Sequence, residues 1–217
     1  MTDFAKARRA MVESQIRPTD VTSLPLIKAL LEVPREEFVP ANFRAVAYAD
    51  EEIPLAPGRA MLTPRNFAKM IAALDIRDDD LVLDIGCGFG YSTVVIARLA
   101  QAVVGVEEVE SLVREAEELV TRFADNAVIV EAALAAGAPA HGPYDVIVLE
   151  GAAACLPEAI VGQLKEGGRI GWFHHDGEAA GECRIGIRHG GDIDWRFAFN
   201  GSAPLLPGFA RAPAFEF

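Results

Sequence analysis

Short apolar runs alternate with longer amphipathic segments from Leu81 onward. Such an alternation predicts strands that are each followed by a helix, and therefore the doubly wound, mostly parallel sheet of an α/β domain. The predicted strands of this part are 81–85, 102–107, 127–131 and 144–150. The predicted helices are 91–100, 109–123 and 156–165, and Gly167-Gly168 is typical of a stop at the end of the last one.

The last part of the chain predicts an antiparallel end to this sheet. Apolar segments at 169–173, 183–188 and 192–199 bring the number of predicted strands to seven. The last two of them flank His189-Gly190-Gly191, a composition that is typical of a tight hairpin turn. We therefore expect the sheet to end in a C-terminal antiparallel hairpin.

The first 75 residues predict helices and irregular structure. The spacing of apolar residues predicts a helix over Phe4–Ile16, and Ser23-Leu24-Pro25 predicts the start of a second helix that ends near Leu31. Residues 39–62 contain three prolines and a glycine, which predict an extended loop. Thr63-Pro64 predicts the start of a third helix, whose apolar face should pack on the sheet.

Composition limits the class of protein. The 217 residues are 51% hydrophobic, which predicts a packed core and not a disordered chain. The net charge of −12 argues against nucleic acid as the main partner, because binding to a duplex depends on cationic contacts with phosphates. No apolar run reaches the ~18 residues of a membrane helix. We expect no signal peptide, and three cysteines without a CxxC pair predict reduced thiols and a cytoplasmic location. The sequence does not determine the oligomeric state, and an oligomer is compatible with it.

A glycine-rich turn follows the first strand of the predicted sheet. The turn is Gly86-Cys87-Gly88-Phe89-Gly90, and Glu107 ends the next predicted strand. Glycine lets the backbone approach a ligand closely, and an acid about 20 residues after such a loop can accept hydrogen bonds from a ribose diol. A dinucleotide and S-adenosylmethionine both fit this pattern. Asp84 favours the second, because a carboxylate attracts its sulfonium and amino groups.

Three parts of the sequence share a resemblance to one enzyme family. The segment Val82–Ala97 resembles the first motif of class I methyltransferases, in the form that protein-L-isoaspartate O-methyltransferases carry. Arg9-x-Met11-Val12 and Val33–Pro40 resemble the N-terminal block of that family, and Pro143-Tyr144-Asp145 continues the similarity. The resemblance implies a Rossmann-like methyltransferase sheet with an N-terminal helical extension, and S-adenosylmethionine as the methyl donor.

The resemblance also implies the residues of the cofactor site. The glycines of the loop should hold the cofactor, the acid at the end of the next strand should bind its ribose, and three neighbours should contribute. The predicted set is Asp84, Gly86, Cys87, Gly88, Gly90, Glu107 and Glu108. We expect one domain over 1–217, in which 1–75 form the substrate side and 76–217 form the cofactor-binding core.

The sequence departs from the family on the substrate side. Leu62 stands where the family has a serine that faces the reacting centre, and Glu150 lies in place of a threonine-containing segment. The family's acidic turn near the adenine falls on Ala132-Ala133-Leu134, which has no acid. Losing one orienting hydrogen bond to a charged group at Leu62 costs about 1.5–3 kcal/mol, which hinders transfer without forbidding it. The missing acid at Ala133 should weaken cofactor binding by ~1–2 kcal/mol.

The expected function is methylation of isoaspartyl carboxylates in a protein or peptide substrate, as a step of protein repair. Two alternatives stay open: a methyltransferase of the same fold with another acceptor, and a cofactor-binding protein without transfer activity. Thr63, Glu150 and Arg59 are the candidate catalytic residues, and Arg35 joins Arg59 as a candidate cation for the acceptor carboxylate. We expect no metal, because neighbouring histidines such as His174-His175 point to opposite faces of a strand.

Overall fold

The N-terminal region is helical, as the apolar spacing predicted. The computed structural model describes residues 3–175 and 181–211. Helix α1 spans Phe4–Met11 and continues as a π-helical turn over Val12–Ile16, and helix α2 spans Leu24–Glu32. Asp3 caps α1, since its side chain accepts a hydrogen bond from the Lys6 amide at 3.1 Å.

The segment 39–62 is more ordered than the sequence predicted. It holds a 3₁₀ turn at Ala41–Val46 and an antiparallel hairpin of strands β1, Ile53–Ala56, and β2, Arg59–Met61. The prediction of an extended loop was wrong because Pro57-Gly58 forms the tip of this hairpin, and Gly58 supplies the φ of 70° that the turn requires.

One seven-stranded sheet forms the body of the molecule, which confirms the predicted fold class. Helix α3, Pro64–Leu74, leads into it, and helices α4, Tyr91–Ala97, and α5, Glu110–Phe123, connect its parallel strands. The strand order is β5-β4-β3-β6-β7-β8-β9, and the β7–β8 and β8–β9 pairs are antiparallel. The strands are β3 Leu81–Ile85, β4 Ala102–Glu107, β5 Ala127–Glu131, β6 Tyr144–Ala153, β7 Leu164–His174, β8 Glu182–His189 and β9 Asp192–Asn200.

The predicted helix over 156–165 is mostly absent. Only a short helix α6, Glu158–Val161, lies there, and β7 already begins at Leu164. Gly167-Gly168 does not stop a helix: between Tyr144 and Val146 of β6 the partners on β7 jump from Leu164 to Arg169, so the glycines lie in a bulge. By contrast, the turn between β8 and β9 is the predicted one, with Gly190 and Gly191 both at positive φ.

Apolar side chains cover both faces of the sheet. Along β3, Val82 packs into the core that includes the N-terminal helices, while Leu83 and Ile85 pack into the core on the opposite face. This two-sided burial is why the parallel strands read as continuous apolar runs. Within the described residues, no helix combines the length and apolar character needed to cross a bilayer.

Candidate functional site

The predicted glycine loop lies at the carboxyl edge of the sheet, between β3 and α4. Gly86, Gly88 and Gly90 all have positive φ, at 83°, 58° and 88°. The amides of Gly86 and Cys87 donate to the carbonyl of Val106 at 2.8 and 3.3 Å. These bonds hold the loop against the end of β4, which is where ligands bind in open α/β sheets.

The three glycines serve two different purposes. A Cβ at Gly90 would stand 2.6 Å from the Val120 side chain, so this glycine allows α5 to pack closely. A Cβ at Gly86 or Gly88 would instead project towards the β1–β2 hairpin. Only the first two glycines therefore open the backbone towards the crevice.

Glu107 is held by the loop and its own neighbours. It is fully buried, and its carboxylate accepts from the amides of Gly88 at 3.0 Å, Glu108 at 2.9 Å and Val109 at 3.2 Å. Both oxygens also bind Arg59, through Nη2 at 2.8 Å and Nε at 3.4 Å. The acid predicted to bind a ribose thus has an arginine as its partner.

Asp84 lies beneath the loop in a fully buried position. Its Oδ2 accepts hydrogen bonds from the hydroxyls of Ser92 at 2.7 Å and Thr93 at 2.6 Å, while Oδ1 has no partner among the described residues. Burial raises the pKa of Asp84 to about 6, although both hydroxyls favour the charged form. Sequence reasoning missed Ser92 and Thr93, whose signal is a polar pair in an otherwise apolar helix.

The β1–β2 hairpin closes the crevice from above. The Leu55 side chain lies 2.4 Å from the position that a Cβ on Gly88 would take, and the Arg59 guanidinium lies 2.8 Å from the equivalent position at Gly86. Arg59 is only 2% exposed. Leu55 was not predicted as a site residue, and its signal is an apolar position next to the Pro57-Gly58 turn.

A small cavity of about 10 Å³ remains under the hairpin. That volume admits roughly one water molecule. Polar groups meet apolar walls here: Arg35 and Glu150 line the cavity together with Leu62, Phe67 and Tyr91. The cavity lies beside Gly86, so a group bound there would be next to whatever the glycine loop holds.

Arg35 enters this cavity from the N-terminal region. It is fully buried, its Nε donates to the Ala47 carbonyl at 2.8 Å, and its Nη2 donates to the Leu62 carbonyl at 2.6 Å. The guanidinium also stacks over Tyr91 at 4.9 Å from the ring centre. Nη1 has no partner among the described residues, so one donor of a fixed cation is free to bind an anion.

Glu150 is a buried acid of a central strand. It is 6% exposed, it lies within β6, and its Oε1 has no partner among the described residues. Burial, followed by the nearby Asp84 carboxyl, raises the pKa of Glu150 well above its ordinary value, against the influence of Arg35 and Arg59. Burial thus favours the uncharged form of this side chain over the charged form.

Thr63 and Cys87 both make contacts that are typical of structural residues. The Thr63 hydroxyl accepts from the Asn66 amide at 3.1 Å and caps α3. Cys87 is buried, and burial, followed by Asp84 and Glu107, raises the pKa of its thiol well above the ordinary value. A protonated, packed thiol is a poor nucleophile.

The opposite end of the crevice faces the loop after β5. Glu108 reaches across it, and its Oε2 accepts from the Leu134 amide at 3.1 Å. An open depression there is lined by Glu108, Val109, Glu131, Ala132 and Ala133. Glu108 thus supplies an acid on the side where Ala132–Leu134 lack one.

The histidine pair lies elsewhere on the sheet. His174 ends β7, and the His175 amide donates to the Ala153 carbonyl at 3.2 Å, while Asp176 lies outside the described residues. Within residues 3–175 and 181–211, no three potential ligands converge in a way that could hold a metal ion.

The residues at this edge of the sheet have the chemistry to bind an adenosyl cofactor, but the hairpin fills the space in which the cofactor would lie. Two glycines open the backbone, Glu107 offers carboxylate oxygens to a ribose diol, and Asp84 has a buried oxygen without a partner. Leu55 and Arg59 occupy the room that those glycines leave.

Comparisons with known proteins agree on one family. Residues 6–171 match the family model described as protein-L-isoaspartate (D-aspartate) O-methyltransferase. A protein-L-isoaspartate O-methyltransferase of Methanoculleus marisnigri is 36% identical over 166 residues, which are 76% of each chain. That of Methylorubrum populi is 36% identical over 173 residues, 78% of this chain and 79% of the relative.

Solved structures share the fold. A protein-L-isoaspartate O-methyltransferase superimposes with a TM-score of 0.81 at 23% identity, over 94% of this chain and 67% of the other. A Plasmodium falciparum protein of the same description, in complex with S-adenosyl-L-homocysteine, gives a TM-score of 0.77 at 18% identity, over 95% and 99%. At these identities the likeness establishes the architecture.

Proposed function

The chain belongs to the protein-L-isoaspartate O-methyltransferase family, and we propose that it transfers a methyl group from S-adenosylmethionine to isoaspartyl carboxylates. The substrates are damaged proteins or peptides, and the methyl ester permits their repair. The observation that carries this proposal is the meeting of the glycine loop, Glu107 and Asp84 at one edge of the sheet, beside a cavity that contains Arg35. Three free cysteines support a reducing compartment such as the cytoplasm.

The proposed cofactor residues divide by task. Gly86, Cys87 and Gly88 offer backbone to the adenosyl group, and Glu107 accepts from its ribose. Asp84 lies close enough to the loop to favour a positive charge, and Glu108 borders the adenine side. When bound, the cofactor supplies an electrophilic methyl group on a sulfonium.

The acceptor side needs alignment more than proton transfer. A carboxylate is already ionised at neutral pH, so no general base is required. We assign Arg35 to the acceptor, because its unpartnered Nη1 can donate to a carboxylate oxygen while its other donors fix the guanidinium. Glu150 can donate a second hydrogen bond in its uncharged form, which burial favours, and Leu62 and Phe67 exclude water.

A labelled-methyl assay tests this function directly. We expect base-labile incorporation into an isoaspartyl peptide and none into its aspartyl twin, together with S-adenosylhomocysteine binding by calorimetry. Incorporation only into another acceptor would support the same-fold alternative. Binding without incorporation anywhere would leave a cofactor-binding protein without transfer activity.

Leu62→Ser tests the departure on the acceptor side. The serine restores an orienting hydroxyl and should raise kcat/KM for the isoaspartyl peptide by roughly ten- to a hundredfold, since a hydrogen bond to a charged group contributes about 1.5–3 kcal/mol. Removing this buried side chain should also lower the free energy of unfolding by about 2–4 kcal/mol. Met61→Ser is the matched control, because Met61 lines the same cavity and should lose stability without gaining activity.

A further inference from the structure

The β1–β2 hairpin occupies the space beside the glycine loop in which the proposed cofactor would bind. Glycines in such a loop leave room for a ligand beside the backbone. Here Leu55 fills that room at Gly88, and Arg59 fills it at Gly86. We propose that the hairpin is a latch that excludes the cofactor when closed, with Arg59 taking the position on Glu107 that the ribose takes when the latch opens. The proposal deepens the proposed function and rests on it.

The bonds of Glu107 allow this exchange. Arg59 gives the carboxylate two N–H donors, and a ribose diol offers two O–H donors in their place. Three backbone amides also bind Glu107, that of Gly88 in the glycine loop and those of Glu108 and Val109 just after β4, and none of them belongs to the hairpin. Glu107 is thus satisfied in both states, which a buried carboxylate requires.

Arg59 is not satisfied as completely as Glu107. Its Nη1 is buried without a partner among the described residues. Release of the hairpin would bring that nitrogen into water. A charged group with an unmet donor raises the free energy of the closed state, so the latch can be opened by a competing ligand.

The hairpin can move as a unit. β1 and β2 form a two-stranded sheet of their own, separate from the seven-stranded sheet. Its tip at Pro57-Gly58 is exposed. A two-stranded hairpin is only marginally stable by itself, so displacing it leaves the main sheet intact.

Binding of S-adenosylhomocysteine to latch variants tests the proposal. Arg59→Ala removes the competitor for Glu107, and Leu55→Ala clears Gly88 without changing any charge. Titration calorimetry should show both variants binding at least ~10-fold more tightly than the wild type, because the apparent affinity scales with the population of the open state. Arg44→Ala, which removes an exposed arginine outside the hairpin, should bind like the wild type.

Hydrogen exchange supplies a readout that needs no ligand. Amides of residues 53–61 should exchange faster in Arg59→Ala and Leu55→Ala than in the wild type, while those of β3 and β4 keep their protection. If neither variant gains affinity or speeds exchange, the latch is wrong. If the wild type binds as tightly as both variants, the latch is wrong, but the methyltransferase proposal still stands. Failure of every form to bind would overturn both.

Discussion

Two of the walls around the cavity differ in the bonds that hold their polar side chains. The loop wall is residues 84–93 with Glu107. Asp84 Oδ2 accepts from the hydroxyls of Ser92 and Thr93, and Glu107 accepts from the amides of Gly88 and Glu108 besides its bonds to Arg59. The hairpin wall is residues 53–62, and its one buried cation, Arg59, depends on a carboxylate 48 residues away in sequence. Most bonds that hold the loop wall therefore do not involve the hairpin, whereas the buried cation of the hairpin wall is paired with Glu107 of the loop wall.

The sharpest test of this asymmetry is to remove each partner of the buried ion pair in turn. Glu107→Ala leaves Arg59 and three backbone amides without their acceptor, and should lower the free energy of unfolding by about 3–5 kcal/mol. Arg59→Ala leaves Glu107 with those amides and should cost distinctly less. Urea unfolding at constant pH measures both.

Glu107→Gln is the matched control for this pair. It keeps an acceptor oxygen and removes the charge, so its loss should fall between the other two. Equal losses from Glu107→Ala and Arg59→Ala would mean that the loop wall depends on the hairpin as much as the reverse, and the distinction would fail.

A pH titration probes Asp84, the buried carboxyl beneath the glycine loop. Burial raises the pKa of Asp84 from 3.8 to about 6, so the folded state favours the protonated carboxyl. This contribution to stability is complete below the unfolded pKa and is lost as the pH rises through about 6. The change corresponds to roughly 3 kcal/mol.

Asp84→Asn provides the reference, because the amide mimics the uncharged form at every pH. The unfolding free energy of the wild type should fall by roughly 3 kcal/mol relative to Asp84→Asn between about pH 3 and pH 7. Urea titrations at several pH values measure the difference. A difference that stays constant over this range would show that the Ser92 and Thr93 hydroxyls compensate fully for burial.

The two walls also differ in how far the sequence predicts them. The loop and its acid follow from apolar runs that end at the same edge of a parallel sheet, which is a local pattern. The hairpin was missed because Pro54 and Pro57 indicate a loop, although Pro57-Gly58 between apolar segments is also a hairpin signal.

No local pattern of the sequence predicts which side chains pair across the cavity. The contact between Arg59 and Glu107 depends on how the hairpin folds over the sheet, and the burial of Glu150 depends on walls from four separate elements. The helix predicted over 156–165 failed for the same reason, because the pairing of β6 with β7 overrides local propensity there.

Substitution of Thr63, which lies between the hairpin wall and α3, should have the smallest effect on stability. It tests whether the hydroxyl contributes to stability alone or also to methyl transfer. Its hydroxyl caps the helix through the Asn66 amide, so Thr63→Ala should lower the free energy of unfolding by about 1 kcal/mol, and Thr63→Ser should restore it. A cap acts on stability alone, so methyl transfer by the folded Thr63→Ala enzyme should equal that of the wild type. If transfer falls much further than stability, and Thr63→Ser recovers it, the hydroxyl also reaches the acceptor. The residue that follows the hairpin wall would then supply a polar group to the acceptor without any bond to the loop wall.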